Sequence, residues 1–349
     1  MNRRRVAVFS NILLLSAWLV TEAKAQTPRA AADAHVVAAR AAAYRPGHDI
    51  SETFDSMCRE PRSDAVITQL SSAPRPFASP RSQARSAWYA EPVKVFDNLY
   101  YVGSSNENNQ SVWAVTTSEG IILIDSGYNY SVAGLVGDGL RKVGLDPNDI
   151  EYAILSHAHG DRYFGAKYLQ DTYGSQLIMS ETDWDVLARS DQNEELKPRK
   201  DMVATDGMKL TLGDTTLTLY ITPGHTPGTL STLIPLKDGN QPHLGYILGG
   251  RGATMEDYGV TYFPDMPTAI QTWSASIKRF NGIAAEAGAD VFLSIHPQHD
   301  KTFSKFTALR FREPGTPHPF VSSEYIQNHT TVMTECMEAQ LVWLAGGAN

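Results

Sequence analysis

Three segments of strand-like character stop at histidines. The clearest, residues 151–156, runs into His157-Ala-His159-Gly-Asp161-Arg162, which crowds three potential metal ligands into five positions. A strand delivers its last residues to a sheet edge, where a loop can fold such groups round an ion. Two histidines in a solvated loop are the plain alternative. Two further junctions weigh against it: residues 215–222 run into Pro223-Gly-His225-Thr-Pro-Gly228, and residues 290–295 run into His296-Pro297.

A chain of 349 residues has room for one large domain or two ordinary ones. Its content, 42% hydrophobic and 19% charged, describes a soluble globular protein, and a net charge of −8 leaves no basic groove, so nucleic acid is not an expected partner. A small molecule is, and the oligomeric state stays open. Arg3, Arg4 and Arg5, an apolar run over 6–20 and Ala23-Lys-Ala25 predict a signal peptide over 1–25 and a secreted or periplasmic protein. The run is shorter than the ~20 residues a spanning helix needs, so no stable membrane insertion is expected after cleavage. An uncleaved anchor and a poor twin-arginine signal are the alternatives. In an exported chain Cys58 and Cys336 either form a disulfide that ties the N-terminal part to a C-terminal helix or remain two buried thiols.

Residues 26–90 are rich in Ala, Ser, Pro and Arg and read as an extension, with helices at 31–43 and 51–70 before Pro74, Pro76 and Pro80. From Val93 strand signals follow at 94–96, 99–102, 111–116 and 120–125, then a helix at 131–143 and a strand at 149–156. Beyond the histidine motif come a helix at 165–173, a strand at 176–179, a helix at 181–187, a hairpin of 208–212 with 215–222, and strands at 229–235 and 244–248. A helix at 266–287, a strand at 290–295 and a C-terminal helix at 324–344 complete a layered α/β pattern over 91–349.

Imidazole and carboxylate ligands without cysteine suit zinc, with iron or manganese next. H-A-H-G-D at 157–161, P-G-H-T-P-G at 223–228 and S-I-H-P at 294–297, with L-I-D-S-G at 123–127 upstream, resemble the metallo-β-lactamase superfamily. The cysteine-free third subclass is most similar, through Phe96-Asp-Asn-Leu-Tyr-Tyr-Val-Gly103, Pro319-Phe-Val321 and the terminal helix; the resemblance spans about 93–341. It implies an α+β, four-layer αββα sandwich with metals at one edge. It also implies that His157, His159 and His225 hold a first zinc, and that Asp161 and His296 belong to a second site. A zinc-bound hydroxide would attack a carbonyl, with Asp161 orienting the water and passing a proton to the leaving group.

Two departures bear on the metals. Arg162 stands where this subclass supplies a histidine to the second zinc, and a guanidinium cannot ligate. Leu248-Gly-Gly-Arg-Gly-Ala253 stands where relatives carry a bridging aspartate, a cysteine ligand or substrate-holding serines, and offers no side-chain ligand. Arg251 either fills part of the second site, binds an anionic substrate group or is a solvated loop arginine. His299 either compensates for the missing ligand or is solvated. One zinc is therefore expected to bind firmly, with the second site weak or empty. The implied reaction is β-lactam hydrolysis; a lactonase or other ester or amide hydrolase, or a metal-binding protein with eroded catalysis, are the alternatives.

Other features have plainer readings. Tyr128, Tyr130, Tyr163 and Phe164 either wall a substrate pocket or pack in the core, and Trp113, Trp184 and Trp273 are expected to pack. Asp125-Ser-Gly127 is expected to support the metal loop from behind. Asn109-Gln-Ser and Asn328-His-Thr match glycosylation sequons, which matter only in a eukaryotic secretory host.

Overall fold

The alternating segments after Val93 pair into two sheets in the computed structural model, which describes residues 27–60, 84–191, 194–257 and 259–346. The predicted signal peptide, residues 61–70 of the second predicted helix and the three prolines that follow lie outside the described residues. Strands β1 (Val93–Phe96), β2 (Leu99–Tyr101), β3 (Trp113–Thr117), β4 (Gly120–Ile124), β5 (Ile150–Ile154), β6 (Gln176–Ser180) and β7 (Met202–Ala204) lie side by side in chain order. The first four pair antiparallel and the rest parallel, because helical crossovers separate β4, β5, β6 and β7. The second sheet takes β8 (Met208–Leu212), β9 (Thr215–Ile221), β10 (Leu230–Asp238), β11 (Gln241–Ile247) and β14 (Val291–Leu293), in the order β14-β11-β10-β9-β8. A small ribbon joins β12 (Glu256–Asp257) to β13 (Val260–Thr261).

The two-residue period sorts side chains between layers. Trp113, Val115, Ile122 and Ile124 meet Leu217, Leu219, Ile234 and Leu293 between the sheets. Ala114 and Leu123 face outward, under α4 (Asp138–Lys142), α6 (Ala166–Tyr173) and α7 (Glu181–Arg189). On the other side Leu233, Tyr246 and Phe292 lie beneath α8 (Met266–Glu286) and α10 (Ser323–Gly346). This is the expected αββα sandwich. Trp113, Trp184 and Trp273 each enter a different apolar cluster, and their indole N–H groups donate to the carbonyls of Ser294, Met202 and Gly250.

The N-terminal extension packs on this frame. Helix α1 (Pro28–Ala43) starts earlier than predicted because Thr27 caps it and Pro28 fits its first turn. It lies along α10, and α2 (Ser51–Met57) follows it; a short α3 (Arg85–Trp88) precedes β1. Ala39, Ala43, Ile50 and Met57 share a cluster with Ile277 and Met333. Cys58 and Cys336 form a disulfide, which decides between the two readings of the pair. No described helix is long and apolar enough to cross a membrane.

The predicted 131–143 helix is a π-helical stretch (Ala133–Gly137) leading into α4. Strand β7 and α9 (Thr302–Arg310) were not anticipated; α9 starts at Lys301, whose left-handed backbone (φ 55°) gives no capping signal in sequence. Both sequon asparagines are engaged internally. Asn109 Oδ1 accepts from Gln298 N at 3.2 Å, and the buried Asn328 side chain bonds to His48 at 2.8 Å.

Candidate metal centre

Strand β5 ends at the floor of the site, and the residue opposite its end carries backbone strain. Asp125 closes β4 at φ 64°, a left-handed conformation that non-glycine residues rarely adopt. There its carboxylate accepts from the backbone and hydroxyl of Ser156 at 2.8 and 3.1 Å. His157 follows at once, His159 caps the short α5 (Gly160–Tyr163), and His225 comes from the turn after β9. The three rings stand 4.5–4.8 Å apart between centroids, and one nitrogen from each can lie within 4.8 Å of the others.

The tautomers suit a metal. His157 Nδ1 donates to the Gly249 carbonyl at 2.7 Å and His225 Nδ1 to the Gly252 carbonyl at 3.0 Å, so Nε2 of each keeps its lone pair for ligation. Burial drives the His157 pKa well below 6.5 and that of His225 down to about 4, so both rings are neutral at pH 7. Three imidazoles match the protein ligand set of a catalytic zinc site.

Two supports had no announcing motif. Asp257 on β12 brings Oδ2 to 3.5 Å from His159 Nε2. Asp183, in the first turn of α7, clasps both ligand-bearing loops. Its carboxylate accepts from Ala158 N at 3.0 Å, from Thr226 Oγ1 at 2.6 Å and from Gly228 N at 2.7 Å. In sequence it reads as an ordinary acid at a helix start.

Burial nevertheless pushes the Asp183 pKa up to about 6. The folded state thus keeps a proton that the unfolded chain, titrating near 3.8, gives up first. Stability from this group falls as pH rises from about 4 to about 6, by roughly 3 kcal/mol in all. Denaturant midpoints across that window check the sign: Asp183→Asn is expected to flatten the slope, and an unchanged slope would contradict this assignment.

The residues expected at the second site do converge, but around a guanidinium. Arg162 is fully buried. Its Nη1 donates to Asp125 Oδ2 at 3.1 Å and to the Ile295 carbonyl at 2.8 Å. Its Nη2 donates to the Asp161 carboxylate and lies 3.4 Å from each ring nitrogen of His296. His296 Nδ1 donates to the carbonyl of Asn109, another left-handed residue (φ 62°), and its Nε2 is 3.7 Å from Asp161 Oδ2. Burial, then the Arg162 charge, lowers the His296 pKa to about 3. Burial opposes ionisation of Asp161, yet Arg162 and His296 together hold its carboxyl well below the usual range. Arg162 therefore brings a positive charge to the ligands that a second ion would need, and this donor set does not fit that ion.

Arg251 is not a solvated loop arginine: its side chain is largely buried and pairs with Glu52 of the extension at 3.1 Å. The reading of His299 as a solvated histidine is also corrected. It is 5% exposed, its carbonyl accepts from Thr53 Oγ1, and its Nε2 lies 4.0 Å from Glu52. Tyr163 and Phe164 are core residues, whereas Tyr128 and Tyr130 stack half-buried, 5.1 Å apart.

A sequence model of the Metallo-beta-lactamase superfamily matches residues 106–239, the stretch that holds all three clustered histidines. Among solved structures, the chain is similar to BJP-1, a subclass B3 metallo-β-lactamase of Bradyrhizobium japonicum. The two are 27% identical over 75% of this chain and 98% of that one, with a TM-score of 0.61. A Cronobacter sakazakii metallo-β-lactamase described by its HARLDQ motif is 25% identical over 73% and 90% of the two chains, with a TM-score of 0.60. LRA-12, a class B3 di-zinc metallo-β-lactamase from an Alaskan soil metagenome, shares the fold at 19% identity, with 74% and 97% covered and a TM-score of 0.59. Motifs, sandwich and histidine cluster agree with these likenesses: the chain has the metallo-β-lactamase fold, and its 106–239 stretch matches the superfamily's sequence model.

Proposed function

We propose that this chain is an exported zinc hydrolase that opens β-lactam amides with one firmly bound metal. The superfamily match over 106–239 and the subclass B3 neighbours support a metal-dependent hydrolase. The observation that carries the single-metal reading is the buried Arg162 guanidinium set among Asp161, Asp125 and His296. The disulfide is consistent with an oxidising compartment.

Zinc at His157, His159 and His225 would acidify water and polarise a carbonyl. The chain's own groups then divide the remaining work. Asp161, ionised and 21% exposed at its side chain, faces the site, where it orients a water molecule, accepts its proton and passes that proton to the leaving amide nitrogen. Arg162 keeps that carboxylate in place and ionised. It also contributes fixed positive charge near the oxygen that becomes negative. Its donors are already committed to Asp125, Ile295 and Asp161, so it acts at a distance instead of gripping the substrate.

Metal titration tests the stoichiometry. One equivalent is expected to bind tightly and a second at least about 100-fold more weakly, the loss typical of a site stripped of supporting groups. Arg162→His is expected to gain a second equivalent; two equal, tight sites in the unaltered protein would sink the single-metal reading. Turnover by the zinc-loaded protein tests the substrate. Opening of a chromogenic cephalosporin is expected, turnover of a homoserine lactone alone would make the protein a lactonase, and neither would indicate eroded catalysis.

A further inference from the structure

Two of the three clustered histidines are held by the backbone of one short loop. The Gly249 and Gly252 carbonyls accept from His157 and His225, and the Gly250 carbonyl accepts from Trp273 Nε1 at 3.1 Å. The loop passes too close for side chains: a Cβ on Gly249 would stand 1.8 Å from the Leu230 carbonyl oxygen, and one on Gly250 2.4 Å from His225 Cβ. The long side chain of the next residue, Arg251, reaches instead to the N-terminal extension. Its Nη1 donates to Glu52 Oε2 at 3.1 Å and to Ser56 Oγ at 2.8 Å.

Glu52 and Ser56 are four residues apart and share one face of α2, so the arginine grips the helix at two points. Helix α2 is itself fixed. Ile50, just before it, is fully buried, Thr53 Oγ1 donates to the His299 carbonyl at 3.3 Å, and Cys58, just after it, is bonded to Cys336 of α10. The Arg251 and Glu52 side chains are 20% and 30% exposed, which limits the water that can compete for their contact.

We infer that Arg251 and Glu52 are positioning residues, an ion-pair latch through which the disulfide-braced α2 holds the 249–252 loop and aims His157 and His225 at the metal. The inference rests on reading those histidines as the metal site. A rigid scaffold round a metal ligand keeps its lone pair on target, and loss of such outer support typically weakens binding tenfold or more.

Cobalt(II) is the probe, read by its visible absorption and by its loss to a chelator. Arg251→Ala and Glu52→Ala are each expected to weaken cobalt binding about tenfold and to shift the spectrum. The double variant is expected to be no weaker than Arg251→Ala alone, because loss of the guanidinium already breaks both bonds to α2. Arg251→Lys, which can still pair with Glu52, is expected to recover most of the affinity, and replacing both cysteines with alanine is expected to accelerate cobalt loss. If Arg251→Ala does not fold, the Glu52→Ala and Arg251→Lys arms decide. Variants that lose thermal stability yet keep the wild-type constant and spectrum would overturn the latch. Failure of the wild-type protein to bind cobalt would overturn the metal-site reading beneath it, and that result is distinct because it shows before any substitution is made.

Discussion

Replacing His225 with alanine is expected to abolish tight zinc binding and to lower kcat/KM by at least ~10³-fold, about 4 kcal/mol of transition-state stabilisation. The size of the effect follows from the ligand count. Among the described residues the candidate cluster holds three imidazoles, so removal of one leaves two, below the three protein ligands of a catalytic zinc site. The nearby acid Asp257 faces His159, not the gap left by His225. Zinc content after dialysis and cephalosporin turnover are the measurements. The apo variant should stay folded, because the ring is replaced at the end of a turn and both sheets are untouched. Full zinc retention with full activity would remove His225 from the site.

The second large effect concerns stability. Arg162→Ala is expected to destabilise the protein by about 3–5 kcal/mol at pH 7, because it leaves two carboxylates, Asp161 and Asp125, without their buried cation. The sign of the pH dependence follows from Asp161. Its folded pKa lies below the ordinary value, so its stabilisation is present above about pH 4 and is lost as pH falls through the lower folded value. In the variant that depression is gone, and burial favours the protonated acid. The gap between variant and wild type should therefore narrow as pH drops from about 7 to about 4. Urea midpoints at the two ends of that range decide the matter, and an equal deficit at both would show that the guanidinium contributes packing and not charge.

How much was legible in the sequence depended on the range of each signal. His157, His159 and His225 stood out because each follows a strand, and the two-residue period of those strands also marked the sandwich. The absence of a second-site histidine could be read directly at position 162. Where the guanidinium would go could not, since its partners Asp125 on one side and Ile295 and His296 on the other come from two distant parts of the chain. Asp183 escaped notice for a similar reason: its partners are backbone amides and a hydroxyl, which carry no sequence signature. The roles of Gly249 and Gly252 lie in their carbonyls, which every residue has. Arg251 was noticed, but its partner lies 199 positions away in a segment read only as an extension.

The Cys58–Cys336 bond joins residues 278 positions apart, and every described strand of both sheets lies between them. The sandwich therefore sits inside one covalent ring. A protease that cuts once in any loop of that ring opens it without releasing a fragment, and the two pieces stay attached until the sulfur bridge is reduced. In the unfolded chain the same closure keeps the two ends of the ring together, so the frame that carries the histidines starts its search for the native state from a smaller set of conformations.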